Sequence, residues 1–346
     1  MRPNLVAAAL VMVAVAVASA TGTTDAVAEE VSDRPVFRYT DEAITESSGL
    51  VARDDVMFTV NDSGDGPLVY AVDTGTGDTI GVTTYSNAQV SDVEAIAPGR
   101  GESLWVGDIG DNNADRPWVE VYRVPVQDSS GDREVAADRY RLVYANGARD
   151  AEALLVHPST GRIYLVSKGI LGGTVYEAPA RLEPGKLNRM EPVGQVPGVV
   201  TDGTFLPGGR HLLLRTYGTG AVYSFPGLRQ VHSFDLPAQE QGEAVAVDER
   251  GQVFIGTEGS HTEVLQIELP ALPSAQTGAQ PGAPASAPSS APDPAAADDA
   301  ADPASDRATG DGAGNGDGVW VAGAALLLVA GGVVLTASRR RSPRKQ

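Results

Sequence analysis

The chain has no cysteine in its 346 residues, which removes a disulfide-stapled mini-domain, thiolate catalysis and every thiolate metal site. Basic residues are also scarce: 26 Lys and Arg stand against 45 Asp and Glu, a net charge of −19, so nucleic acid and anionic lipid are disfavoured as partners. No Trp-Asp dipeptide occurs, and no phosphate-cradling G-x-x-x-x-G-K. The four histidines, His157, His211, His232 and His261, are scattered, whereas a zinc or triad site needs at least two together. Between residues 35 and 270 no segment sustains the 3.6-residue apolar period of a long helix.

What is present is a unit repeated five times: SGLVARDDVMFTVND (48–62), EAIAPGRGESLWVGD (94–108), EALLVHPSTGRIYLVSK (152–168), DGTFLPGGRHLLLRTY (202–217) and EAVAVDERGQVFIGTE (243–258). Each holds two short apolar strands joined by a turn, and each is followed by a third strand: LVYAVD, VEVYRVP, GTVYEAP, GAVYSFP or EVLQIELP. A fourth strand is expected at 80–85, 140–144, 231–236 and near Met190, but the last unit has none. Steps of about 40 to 55 residues are the spacing of a β-propeller blade. The expected fold is therefore all-β, a ring of five blades with six the alternative, in which the unpaired segment PVFRYT (35–40) supplies the missing outer strand of the last blade.

The two ends address the chain. Arg2, the apolar stretch Leu5–Ala18 and the small-x-small sites at 18–20 and 26–28 predict a secretory signal peptide over 1–28. Residues 29–43 form an N-terminal segment carrying the closing strand, and 44–270 form the propeller. Residues 271–317, dominated by Ala, Pro, Ser, Gly and Asp, are expected to be a solvated tether. Gly318 to Ala337 carries no charge and is followed by Arg339, Arg340, Arg341, Arg344 and Lys345. That pattern predicts a single-pass helix over 318–338 and a basic cytoplasmic tail at 339–346, with the propeller outside the cell membrane. All 45 acidic residues lie between Asp25 and Asp317 with only 20 basic ones, giving that span a net charge of −25.

The strings ESSGL (46–50), FTVNDSGDGPLVYAVD (58–73), DVEAIA (92–97) and LWVGDIGDNNADRPWVEVYRVP (104–125) resemble a family of exported actinobacterial propeller proteins described by their repeats. That resemblance covers 44–270. More distantly the chain is similar in architecture, and in its opening SGL, to phytase-like esterase and gluconolactonase-type propellers, which implies hydrolytic chemistry as one alternative.

Aligning the units brings carboxylates to one mouth of the ring. First-strand starts carry Glu46, Asp92 with Glu94, Asp150 with Glu152, Asp202 and Glu243; second-strand ends carry Asp62, Asp108, Lys168, Tyr217 and Glu258. Crowded carboxylates repel unless a cation shares the space, and a hard divalent ion with oxygen ligands, Ca²⁺ or Mg²⁺, suits them. Glu94, Glu152, Glu243, Asp62 and Asp108 are the candidate metal ligands, and Asn61, Asp92, Asp150, Lys168, Asp202, Tyr217 and Glu258 the candidate ligand-binding residues. The same acids could instead cap strand ends and bind water, or be neutralised internally by Lys168. Neither DSGD (62–65) nor DIGDNN (108–113) has EF-hand spacing. The preferred reading is a binding module whose partner is a cell-envelope protein or a small cationic ligand. The alternative is a metal-dependent hydrolase of esters, lactones or phosphoesters. The preference rests on Lys168 being the one strand-end cation that the alignment reveals, with no basic cluster to hold an anionic substrate.

Overall fold

Apolar runs of four to seven residues cut by Gly, Pro, Asp and Asn are strand and turn chemistry. In the computed structural model, which describes residues 29–272 apart from Ser63 and Asp128, they form strands throughout, and no helix stands among the described residues. The chain begins with β1 (Glu29–Glu30) and β2 (Asp33–Arg38). A first antiparallel meander follows: β3 (Ser47–Arg53), β4 (Val56–Asn61), β5 (Leu68–Asp73) and β6 (Thr79–Tyr85). The second is β7 (Val93–Pro98), β8 (Ser103–Asp108), β9 (Val119–Pro125) and, beyond the short β10 (Arg133–Val135), β11 (Asp138–Tyr144). The third comprises β12 (Ala151–Val156), β13 (Ile163–Ser167), β14 (Gly173–Glu177) and β15 (Leu187–Val196). The fourth comprises β16 (Asp202–Phe205), β17 (His211–Arg215), β18 (Thr219–Ser224) and β19 (Gln230–Asp235). Three further strands, β20 (Ala244–Val247), β21 (Val253–Gly256) and β22 (Glu263–Ile267), end the described chain.

The last group is completed from the other end of the sequence. Strand β2 pairs antiparallel with β22, Asp33 opposite Ile267 and Arg38 opposite Glu263, giving the order β2-β22-β21-β20. The first strands lie side by side in sequence order, β3 against β7, β7 against β12, β12 against β16 and β16 against β20, and β20 returns to lie against β3. The fold is thus all-β and propeller-like, with the first strands innermost.

Small residues permit that closeness: Gly49, Ala95, Ala97, Ala151, Ala153, Ala244 and Ala246 are buried on the inner strands. A Cβ on Gly49 would stand 2.9 Å from the backbone nitrogen of Ile96, so any side chain there would force β3 away from β7. Between neighbouring sheets lie apolar layers such as Val51, Phe58, Val60, Ile96, Leu104 and Val106. Outer edges are covered as well. Strand β10 adds in parallel to β6, β1 adds in parallel to β19, and β11 pairs in parallel with β15, so fewer backbone groups face solvent unpaired.

All described residues belong to one compact unit. The expected signal peptide, nearly all of the tether, the membrane helix and the basic tail lie outside the described residues.

Candidate acidic-mouth site

Three first strands open with the same irregularity. The pairing register slips between Ser47 and Gly49, between Val93 and Ala95, and between Ala151 and Ala153. A bulge re-aims the extra side chain, and here the extra residues are Ser48, Glu94 and Glu152, each almost wholly buried. The hydroxyl of Ser48 donates to the Glu94 carbonyl at 2.9 Å, fixing the first bulge to the second.

Glu94 then becomes the centre of the site. Carboxylate oxygens of Asp62, Asp92 and Glu94 lie within 4.8 Å of one another, and so do those of Glu94, Asp150 and Glu152. One glutamate therefore belongs to both groups. Burial, reinforced by the charges of Glu152, Asp62, Asp92 and Asp150, pushes the Glu94 carboxyl far above its ordinary range. Asp92 is raised for the same reasons, burial first. Glu152 is raised by burial, although Lys168 opposes the shift from 2.6 Å. Among the described residues no basic side chain pairs with Glu94.

Above these acids sits the turn of the DIGDN block. Asp111 accepts the N–H groups of Asp115 and Arg116, Asp150 accepts the Asp111 N–H at 2.8 Å, and Arg116 returns to the Gly110 carbonyl at 2.6 Å. This network holds Gly110 directly over the site. A Cβ at Gly110 would run into the Asp92 carboxylate and Glu94 Oε1, so only glycine fits beside these acids.

Other candidates are occupied by the fold. Asp108 accepts the N–H groups of Ser91 and Asp92 and pairs with Arg116 at 2.9 Å, while Asn61 accepts those of Thr45 and Glu46 and donates to Ala43 and Asp65. These two residues end equivalent second strands and play equivalent roles, latching the loop that enters the first strand. Asp62, one position later, is the residue delivered to the carboxylate groups, so aligning Asp62 with Asp108 in sequence was out of step by one residue. Asp202 is fully buried and accepts from Gly203 and Val245, and burial raises its carboxyl.

A second corner of the same mouth collects Lys168, Tyr217, Glu243 and Glu258. Gln241 clips the two glutamates together, donating to Glu243 Oε1 at 3.4 Å and to Glu258. Burial and the charges of Glu243, Asp62 and Glu46 push Glu258 up to about 7. Beneath this corner lies Arg215, which the sequence alignment passed over: it is buried at the end of β17, donates to the carbonyls of Ala244 and Gly256, and faces Asp202 and Glu243. Lys168 is accordingly not the sole cation at the strand ends. The signal was available in HLLLR, where a charged residue closes an otherwise apolar strand.

No protein-family model matches the chain, and no curated protein matches it by sequence. Among solved structures, it is similar to a gluconolactonase from Xanthomonas campestris, with 14% sequence identity, coverage of 70% of this chain and 87% of that one, and a TM-score of 0.43. It is also similar to the soluble aldose sugar dehydrogenase of Escherichia coli in its apo form (10% identity, 69% and 99% coverage, TM-score 0.44) and to a luciferin-regenerating enzyme (10% identity, 70% and 96% coverage, TM-score 0.44).

Proposed function

We propose that the chain is a five-bladed propeller, exported and held at the cell membrane by its C-terminal segment, that acts as a binding module with a divalent cation at its acidic mouth. One observation carries the reading: Glu94 is buried, shared by two groups of three carboxylates, and without a basic partner among the described residues. Such a cluster is costly when ionised and favourable around a hard ion. Asp62, Asp92, Glu94, Asp150 and Glu152 would hold Ca²⁺ or Mg²⁺, and glycine at position 110 lets the Asp92 and Glu94 carboxylates gather against the backbone.

The test is thermal melting of the purified protein with chelator and with Ca²⁺ or Mg²⁺. Saturation at a hundred times the dissociation constant stabilises by about 2.7 kcal/mol, because the ion binds the folded state alone. The pair Asp92→Asn and Glu94→Gln removes the increment with little change in side-chain volume, and it leaves the Lys168–Glu152 ion pair intact. An unmoved wild-type melt, together with a variant more stable than wild type in chelator, rejects the ion.

A hydrolase is the second reading, favoured by Glu258. It stands at the same mouth at about 7, where a carboxyl can exchange a proton near neutrality. In that case an ion held by these carboxylates would polarise an ester, lactone or phosphoester oxygen. Turnover of any such substrate that Glu258→Gln abolishes would replace the binding-module reading.

A further inference from the structure

The Glu243 corner contains a feature that the divalent ion does not use. Glu243 is 3% exposed, and its Oε2 accepts no hydrogen bond although its Oε1 is held by Gln241. A buried acceptor left without a donor calls for a physical explanation. Lys168 does not supply the donor, because its ammonium is drawn to Glu152 at 2.6 Å. Glu243 belongs to neither three-carboxylate group around Glu94.

We propose that this corner receives a primary ammonium group carried on an aliphatic chain, such as a lysine side chain of a basic partner or a free alkyl amine. The orphaned carboxylate oxygen selects the class: it calls for a donor, an anionic ligand brings none, and a neutral hydroxyl brings one donor and no charge where an ammonium brings three donors and one charge. One further surface fits the aliphatic body. Tyr217, 43% exposed, turns a ring toward solvent beside Lys168 and Glu243 and can lie against a cation or its methylenes. This deepens the binding-module reading and rests on it for the partner, but it does not depend on the divalent ion.

The test is calorimetric titration of the full chain with hexylammonium and with 1-hexanol, each in saturating Ca²⁺ and again in chelator. Hexylammonium is expected to bind at least tenfold more tightly than hexanol. Glu243→Gln should weaken it tenfold or more. Glu258→Gln, at a more exposed position, should weaken it in the same direction and serves if the first variant does not fold. The pair Asp92→Asn and Glu94→Gln, which removes the Ca²⁺ response, should leave hexylammonium binding within about twofold. Equal binding of hexanol, or binding indifferent to both Glu243→Gln and Glu258→Gln, overturns the proposal. So does binding lost only in the Asp92/Glu94 pair, which would place the amine among the other carboxylates. If Ca²⁺ moves nothing while Glu243-dependent amine binding persists, the divalent ion falls and this inference stands.

Discussion

Asn61 and Asp108 show what a single side chain does at this mouth. Each ends a second strand and accepts two backbone N–H groups from the loop leading into the first strand. Asn61→Ala leaves the Thr45 and Glu46 donors and the Ala43 carbonyl to find water, at about 1–3 kcal/mol for each group that stays buried and unpaired. We expect a loss of roughly 2–4 kcal/mol in urea unfolding, with the slope against urea unchanged. A loss under 0.5 kcal/mol would mean that the loop is held by something else. Residue chemistry was partly legible beforehand, since the acids at 62, 92, 94, 150 and 152 could all be assigned to one mouth by aligning repeats. The division of labour was not. Whether a carboxylate latches a loop or faces the axis depends on a one-residue offset, and the bulges at Ser48, Glu94 and Glu152 shift that offset without a sequence mark of their own.

At the scale of the element, β2 shows how segments distant in the sequence become neighbours, Asp33 standing opposite Ile267. It contributes Phe37 to the apolar layer with Leu50, Met57 and Val264, and it gives β22 its outer hydrogen-bonding partner. Deleting residues 29–38 should expose the β22 edge and uncover that layer, so the protein is expected to unfold or to associate through the open edge. Size-exclusion chromatography with a thermal melt checks this: a monomeric, equally stable deletion shows that β2 is dispensable. Short strands and their turns were readable because alternation and glycine-proline punctuation are local signals, and the orphan segment at 35–40 was readable because one meander lacked a strand. The parallel pairings of β1 with β19, β10 with β6 and β11 with β15 were not, since nothing near those residues records which distant edge they join.

Charge acts at the scale of the whole molecule. If the chain is anchored as proposed, protease added to intact cells should cut between residues 275 and 317 and release the soluble ring, and protection until lysis would reverse the orientation. A sharper expectation follows from the carboxyls. Glu94, Glu152 and Glu258 are all raised, burial being the first cause in each, from an ordinary value of 4.5, and Glu258 reaches about 7. The folded state therefore holds these protons more tightly than the unfolded chain, and unfolding releases them wherever the pH lies between the two values. Stability from these groups is complete below about 4.5 and is lost as pH rises through the folded-state values. In chelator the melting temperature should thus fall between pH 5 and pH 8. A divalent ion competes with the protons for Glu94 and Glu152, so saturating Ca²⁺ should flatten that fall while leaving the smaller part due to Glu258. A chelated protein whose melt is level or rising across this range would show that the acids ionise freely at the mouth. An unchanged slope in Ca²⁺ would instead show that the ion, where it binds, does not bind them.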